Sequence, residues 1–173
     1  MILEHIQTRR STRKFKDTPV TKEQVRLLLE AAMLAPSACN TRPWRFIAIT
    51  NREMLDKLVS IHNHGKMLKT AQLAIVVVAL PKVQENVNDG LPNGFYPQDC
   101  GAATENILIQ AEYMGFGSCW CGIYPRKATL AAFYDALDIP KDEVPFCIIA
   151  IGEKDEFPKP RGKYEEDKVT WVE

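Results

Sequence analysis

The amino-acid sequence predicts one domain in which helices cover both faces of a β-sheet. Its 173 residues are close to the length of a single domain. Apolar residues make up 46% and charged residues 25%, which is typical of a globular protein and not of a disordered chain. Segments with a strand pattern alternate with segments that have a helical pattern. This order is typical of a sheet packed between layers of helices.

The N-terminal part of the chain is predicted to contain two helices. A short helix over 2–10 carries its apolar side chains on one side and ends in a basic cluster. Thr21 and Gln24 have the three-residue spacing of a capping box, in which each side chain bonds to the backbone N–H of the other residue. Apolar residues then recur at helical spacing, so we expect an amphipathic helix over 22–34 that Pro36 terminates.

The middle of the chain is predicted to alternate between strand and helix. The expected elements are a strand over 46–49, a helix opened by Asn51, and a strand over 74–80. The last of these is apolar throughout and rich in valine, as expected for a strand that is buried on both faces.

The second half of the chain is predicted to contain two more strands and two more helices. Asp99 is expected to cap a long helix, and Gly115 and Gly117 are expected to end it. The remaining predicted elements are a strand over 118–121, a helix over 126–137 and a strand over 146–151.

The C-terminal segment differs from the rest of the chain, which we therefore divide into a domain over 1–152 and an arm over 153–173. The arm is charged and has little apolar surface of its own. Val169 and Trp171 alternate with Thr170 like a strand with one buried face, and such a strand could add to the sheet of a second subunit. An unstructured terminus explains the same composition, and both interpretations stay open.

The charge balance and the cysteine pattern exclude several classes of protein. The 22 basic and 22 acidic side chains leave no net charge, so an overall attraction to nucleic acid or to an anionic membrane is absent. No stretch approaches the roughly 18 consecutive apolar residues of a membrane span, and the N-terminus lacks the positive charge of a signal peptide. The five cysteines have no regular spacing and are predicted to be thiols of a cytoplasmic protein.

A basic segment near the N-terminus is the first candidate for chemistry. Five cations and two hydroxyl groups lie between Arg9 and Lys16. Guanidinium groups form strong charge-assisted hydrogen bonds with a phosphate, and hydroxyl groups add further donors. A solvated basic turn, or a weak nucleic-acid contact, explains the same composition.

A loop between a helix and a strand is the second candidate. It runs from Ala35 to Trp44 and combines two prolines with small residues and with amide or hydroxyl groups. Such a loop can bring backbone close to a planar ligand, and Asn40 offers both a donor and an acceptor. An ordinary connection after a helix end is the alternative interpretation.

The cysteines and histidines give no clear metal or catalytic site. Cys119 and Cys121 point the same way on a strand, but the second cysteine pair of a zinc site is missing. His62 and His64 are expected at a helix end, because no acid or nucleophile is placed to form a triad with them. The sequence contains no Gly-x-Gly-x-x-Gly motif after a strand, no Walker loop and no His-Glu-x-x-His zinc motif. Three further cysteines are predicted to be small core residues: Cys39, Cys100 and Cys147.

Taken together, five segments resemble the FMN-dependent nitroreductases in their short form. Each is a weak signal alone, but the five in the family's order are a strong one, and the resemblance covers essentially the whole chain. The segments are Arg9 to Phe15, Ala35 to Trp44, Asn63 to Leu68, Gly115 to Trp120, and Pro158 to Arg161.

The resemblance implies a fold and an assembly. It implies an α+β protein with a three-layer α/β/α arrangement and a mixed central sheet. Residues 1–152 would form the FMN-binding domain of a homodimer, and the arm over 153–173 would pack on the partner subunit. FMN would lie at the interface, with both chains contributing to each of two sites.

The resemblance also implies which residues hold the FMN phosphate and ribityl chain. A phosphate that is partly desolvated needs several cations around it. These atoms are expected to meet Arg9, Ser11, Arg13, Lys159 and Arg161, with Arg10 between them reaching the flavin or its ribityl chain. The partner subunit is expected to contribute Pro36, Ser37, Ala38 and Asn40.

Two further groups of residues are implied at the flavin ring. Its pyrimidine edge is expected to meet Asn63 and Lys66, whose ammonium would stabilise negative charge there. Alongside the ring system run Cys119, Trp120, Cys121 and Gly122, from which a backbone amide would bond to N5. The cysteine side chains are then incidental, and Trp120 is expected to be buried.

The implied activity is hydride transfer by a ping-pong mechanism. NADH or NADPH would reduce the flavin, and a nitroaromatic, a quinone or a similar small molecule would then accept the electrons. Neither a metal nor a side-chain acid or base is implied. Alternatives on the same fold are a flavin reductase, a flavin-fragmenting enzyme, a reductive dehalogenase, or a flavin-binding or redox-sensing protein without turnover. Nucleic acid and membranes are not expected as partners.

One region differs from the longer members of the family. Lys82 to Gln98 is brief, whereas extra helical material near here shapes the acceptor pocket in longer enzymes, so the acceptor stays open. Phe95 and Tyr96 either line that pocket or anchor their own loop.

Overall fold

A β-sheet with helices on both faces forms the fold. The computed structural model describes residues 1–87, 94–159, 162 and 164–173. The helices found there are α1 (Glu4–Thr8), α2 (Lys22–Met33), α3 (Arg52–Ile61), α4 (Tyr96–Tyr113) and α5 (Lys127–Leu137). The strands are β1 (Trp44–Ile49), β2 (Leu73–Ala79), β3 (Phe116–Gly122) and β4 (Val144–Glu153). They form one sheet in the order β1-β2-β4-β3.

The interior strand β2 divides the core into two apolar clusters. Every residue of β2 is buried, as its continuous apolar sequence predicts. Alternate side chains face opposite sides of the sheet, so Ile75 and Val77 pack with Leu28 of α2. Val76 packs on the other side with Phe133 of α5. The α+β class and the three-layer arrangement are therefore confirmed.

The direction of the strands differs in one respect from the mixed sheet that we expected. Among the described residues, every pairing between the four strands is antiparallel. The parallel pairing in this part of the chain is an isolated bridge between Ser11 and Ser118 of β3. The expectation of a mixed sheet is thus wrong for these four strands, which form an antiparallel sheet. A parallel strand would have to come from another segment that adds to this sheet.

The same bridge places the basic N-terminal segment beside β3. The backbone N–H of Thr12 donates to the Ser118 carbonyl over 2.9 Å, and that of Lys16 donates to the Glu153 carbonyl over 3.0 Å. The approach is so close that a Cβ atom on Gly117 would lie 2.6 Å from the Thr12 side chain. Glycine at this position therefore allows the basic segment to lie against the sheet.

The helix ends follow the sequence signals with two exceptions. The capping box of Thr21 is present, and the Asn51 side chain accepts the Met54 N–H over 2.8 Å. Asp99 does not cap α4, since the helix begins at Tyr96. Its carboxylate instead accepts a hydrogen bond from the backbone N–H of Ala38, in the loop between α2 and β1. Gly115 follows the helix with a left-handed φ of 80°, but Gly117 lies inside β3.

Beyond Glu153, the last residue of β4, the C-terminal arm forms no further strand among its described residues. A short 3₁₀ turn over Glu166–Lys168 precedes the last five residues, and Trp171 is 73% exposed. The alternation at Val169 and Trp171 therefore finds no partner within the described part of the chain. None of the described helices has the length and apolar character needed to cross a membrane.

Candidate functional site

Two cavities adjoin at Arg13, next to the edge strand β3. The larger has a volume of about 690 Å³ and lies between β3, the loop after α3 and the segment before α5. The smaller has a volume of about 520 Å³ and lies between the basic N-terminal segment and the start of the C-terminal arm. Because Arg13 lines both, they form neighbouring parts of one groove.

The groove brings together most of the residues expected to hold the cofactor. The larger cavity is lined by Asn63, Lys66, Cys119, Trp120, Cys121 and Gly122. The smaller cavity is lined by Arg9, Arg10, Ser11, Arg13 and Lys159. Neither cavity is lined by Pro36, Ser37, Ala38 or Asn40 of the same chain. Arg161 lies outside the described residues.

The smaller cavity is positively charged and has spare hydrogen-bonding capacity. The side chain of Arg10 is partly buried and donates to the Arg9 carbonyl, while its Nε atom is buried without a partner among the described residues. The Arg13 guanidinium donates to the Ser11 carbonyl over 3.3 Å. Glu105 neutralises part of the charge through an ion pair with Arg9 at 3.3 Å. The cavity is lined by three arginines and a lysine, of which Glu105 neutralises only Arg9 in part, so it favours an anion.

The outer edge of β3 offers backbone donors to the larger cavity. Ser118 bonds to the basic segment on the side of β3 away from β4. Backbone groups of an antiparallel strand point to alternate sides, so Trp120 and Gly122 direct their N–H groups to that same outer side. An edge strand therefore supplies fixed amide donors along the wall of the cavity.

Trp120 is exposed, and our expectation that it is buried is wrong. Its side chain retains 38% of its accessible surface and lies on the α4 side of the sheet, where its ring is 6.1 Å from that of Phe146. A Cβ atom on Gly101 of α4 would lie 3.8 Å from it. Trp120 therefore borders the cavity as part of strand β3, while its indole ring is partly exposed to solvent.

Two thiols form part of the cavity wall. The Cys121 sulfur lies 3.4 Å from the Met67 sulfur and 3.6 Å from the His64 carbonyl oxygen. A hydrogen bond from Cys121 lowers the pKa of the Cys119 thiol, and the positive charge of Arg13 contributes in the same direction against the effect of burial. Cys119 is thus the more acidic thiol of the pair.

The loop that carries Asn63 and Lys66 is folded around His62. This residue caps the C-terminus of α3, as expected, and only 2% of its surface is exposed. Its Nδ1 accepts the His64 N–H over 3.1 Å, and its carbonyl accepts the Gly65 N–H over 2.8 Å. Burial lowers the pKa of His62, so its ring is neutral at pH 7 and can keep accepting.

The loop expected to reach a partner subunit has a fixed and unusual backbone. The Asp99 carboxylate accepts the Ala38 N–H over 3.2 Å and the Gln84 side-chain amide over 2.6 Å. Gln84 is fully buried and also donates to the Thr41 hydroxyl. The non-glycine residues with left-handed backbone in this loop are Cys39 (φ 50°), Asn40 (φ 54°) and Arg42 (φ 51°).

The remaining cysteines divide into two groups. Cys100 and Cys147 are buried, as predicted, whereas Cys39 is exposed because it lies on this loop. Across residues 1–87, 94–159, 162 and 164–173, no group of three or more His, Cys, Asp or Glu side chains is placed to hold a metal ion.

Sequence reasoning missed three residues that line the larger cavity beyond β3. These are Tyr124, Pro125 and Arg126, which connect Gly122 to α5. The signal for them was their position directly after the strand that carries Gly122. Tyr96, one of the two aromatic residues with an open role, is buried and packs edge-on to Tyr124 at 6.0 Å, which favours the anchoring role.

Comparison with known proteins identifies the family. The sequence profile of the nitroreductase family matches residues 6–62 and 60–153. A Methanothermobacter thermautotrophicus protein, provisionally named NADH dehydrogenase/NAD(P)H nitroreductase, is 39% identical over 168 residues, which cover 97% of this chain and 85% of that protein.

Solved structures agree with this match. An FMN-dependent nitroreductase from Clostridium difficile is 32% identical, with a TM-score of 0.86 and coverage of 98% of both chains. A Desulfovibrio desulfuricans protein, provisionally named a nitroreductase and solved in complex with FMN, is 27% identical, with a TM-score of 0.82 and coverage of 98% of this chain and 95% of that one. The chain described here belongs to the nitroreductase family.

Proposed function

We propose that this protein is an FMN-dependent oxidoreductase that passes electrons from NAD(P)H to a nitroaromatic, a quinone or a similar small acceptor. The observation that carries the proposal is the groove around Arg13, in which a cationic cavity adjoins a wider cavity walled by an edge strand. The similarity to an FMN-dependent nitroreductase and to a protein in complex with FMN supports the choice of cofactor.

The smaller cavity fits the phosphate end of FMN. The residues that line it include Arg9, Arg10 and Arg13, whose guanidinium groups would donate to the phosphate oxygens. Ser11 and Lys159 add a hydroxyl group and a further cation. Such a donor set binds a phosphate through charge-assisted hydrogen bonds.

The larger cavity fits the ring system. Bound FMN would supply the two-electron carrier, with N5 as the atom that takes and gives hydride. The outward N–H groups of Trp120 and Gly122 are the donors that would hold N5. Lys66 and Asn63 would meet the pyrimidine edge, where the Lys66 ammonium stabilises negative charge as electrons arrive. These residues would position and polarise the flavin ring, and none of them needs to gain or lose a proton.

We also propose a homodimer in which the arm over 153–173 packs on the partner subunit. β1 is an edge strand, and the groove beside it is lined by Leu29, Met33, Trp44 and Phe46 together with Arg42 and Arg45. The exposed Trp171 and its neighbours could add to that edge. The fixed loop around Asn40 lines neither cavity of its own chain, so it is free to contribute to the groove of the second subunit.

The absorption spectrum of the purified protein, followed by anaerobic titration with NADH and NADPH, tests the cofactor and the donor. We expect a yellow protein whose absorbance near the flavin maximum bleaches on addition of at least one nucleotide. An FMN-loaded protein that stays oxidised with both would rule out the proposed donor. Turnover with a quinone and with a nitroaromatic then separates an oxidoreductase from a flavin-binding protein without activity.

Light scattering coupled to gel filtration tests the assembly. The full chain is expected to have twice the mass of one subunit, and a chain shortened after residue 164 is expected to shift toward the monomer. A monomeric full chain that binds FMN with full occupancy would contradict the shared site.

A further inference from the structure

The larger cavity has an unbalanced set of charges. The side chains on its wall that are positively charged at pH 7 belong to Arg13, Lys66 and Arg126, and no carboxylate lines it among the described residues. Surfaces of globular proteins normally mix charges of both signs, so a cavity lined by one sign favours ligands of the opposite sign.

Arg126 is the cation that the proposed function leaves without a task. Arg13 adjoins the cavity for the phosphate, and Lys66 lies with the loop expected at the pyrimidine edge. Arg126 instead lies beyond Gly122, at the N-cap position of α5. Its guanidinium takes part in no ion pair among the described residues, and the first turn of α5 contains no acidic side chain.

The position of Arg126 suits a ligand that enters the cavity from solvent. The residue is exposed and also lines the cavity, so it lies where the cavity meets solvent. Tyr124 and Pro125 lie beside it on the same wall and offer apolar surface. An aromatic ligand with an anionic substituent matches this combination of surface and charge.

We propose that Arg126 is a specificity-determining residue that binds an anionic group, a carboxylate or a phosphate, on the substrate that enters the larger cavity. This inference rests on the proposed function, since it concerns the second substrate of the same site. A guanidinium group donates two parallel hydrogen bonds to either group. The shared chemistry has two sources, namely the 2′-phosphate of NADPH and the carboxylate of an aromatic acceptor.

Arg126→Gln tests the proposal, with Lys127→Gln as the matched control. Lys127 is the next residue and is also exposed, but it does not line the cavity. In one arm, the KM for NADPH and for NADH is measured with p-benzoquinone as the uncharged acceptor. In the other arm, equilibrium dialysis compares the affinity for 4-nitrobenzoate with that for 4-nitrobenzamide, which has the same ring but no charge.

We expect the wild type to prefer the anionic member of at least one pair by about tenfold, a difference of about 1.4 kcal/mol. Arg126→Gln should reduce that preference to about twofold or less, Arg126→Lys should retain part of it, and Lys127→Gln should retain nearly all of it. The arm that responds identifies the source of the anion. The affinity for 4-nitrobenzamide and the KM for NADH should change little in all three variants.

The inference is overturned if the wild type shows no preference in either arm, or if Arg126→Gln leaves both preferences within twofold of the wild type. Failure of the proposed function looks different, since the wild type would then contain no flavin or would not oxidise either nucleotide. Dialysis needs no turnover, so the 4-nitrobenzoate arm decides the role of Arg126 even then.

Discussion

The contact between Gly117 and Thr12 gives a prediction that links the sheet to the cofactor cavity. In Gly117→Ala, the added Cβ would lie 2.6 Å from Thr12 Cγ2, 2.7 Å from its Cβ and 2.9 Å from its Oγ1. All three distances are too short, so the basic segment must move away from β3. The move would stretch the hydrogen bond from the Thr12 N–H to the Ser118 carbonyl, now 2.9 Å. It would also displace Ser11 and Arg13.

The magnitude follows from these contacts. Overpacking costs about 1–3 kcal/mol, and the weakened hydrogen bond costs about 0.5–1.5 kcal/mol. We therefore expect Gly117→Ala to lower the free energy of unfolding of the FMN-free protein by about 2–4 kcal/mol, measured by urea denaturation. FMN affinity, measured by fluorescence titration, should fall about tenfold or more because Ser11 and Arg13, two of the proposed phosphate donors, move.

Two further variants make this prediction sharp. Gly101→Ala is the matched control, since its Cβ would meet only the Trp120 ring at 3.8 Å and alanine favours a helix by about 0.5–1 kcal/mol. It should stabilise the protein slightly and leave FMN affinity unchanged. Thr12→Gly combined with Gly117→Ala removes the overlapping side-chain atoms and should restore part of the affinity. Equal FMN affinity in Gly117→Ala and the wild type would refute the reasoning.

Three further predictions follow from the site. Lys66→Met should slow reduction of the bound flavin by NADH at least about tenfold in stopped-flow measurements. Lys69→Met changes a lysine on the same turn that does not line the cavity, and it should not slow the reduction. Equal reduction rates in Lys66→Met and the wild type would contradict the proposed role of Lys66. The folded state lowers the pKa of His62 below its ordinary value of 6.5, so the unfolded chain takes up the proton first and the free energy of unfolding should decline as the pH falls below about 6.5. His62→Gln should flatten that decline in urea titrations between pH 7 and 5, and an unchanged slope would contradict it. Asp99→Ala leaves the Ala38 N–H without its acceptor and should lower the free energy of unfolding by about 1–3 kcal/mol. It should reduce FMN affinity more than a surface substitution that lowers the free energy of unfolding by the same amount.

Local signals in the sequence predicted the elements well, because their causes lie within a few residues. The capping box at Thr21 and the cap at Asn51 depend on hydrogen bonds between residues three positions apart, and the uninterrupted apolar run of β2 requires burial on both faces. The groove itself was reached through the family resemblance, since its residues come from four separate segments of the chain. Periodicity alone could not have placed Lys66 and Gly122 in one cavity.

The errors have other causes, which depend on how the chain folds and not on neighbouring residues. Asp99 has the composition of a cap, but its carboxylate bonds to Ala38, which is 61 residues away. Trp120 lies on an edge strand, so its large apolar ring does not guarantee burial. Arg126 has no recognisable motif, and only the fold shows that it borders the groove.

The loop around Asn40 has a consequence for how fast a second surface can meet it. Left-handed backbone in residues other than glycine costs on the order of 1–3 kcal/mol each, and three such residues occur within four positions. Asp99 and Gln84 hold this shape inside the single chain. The loop therefore meets its target in its final form, with little conformational entropy left to lose on contact. Association that engages this loop should be quick and selective for shape, because a poorly matched surface cannot induce the loop to adapt.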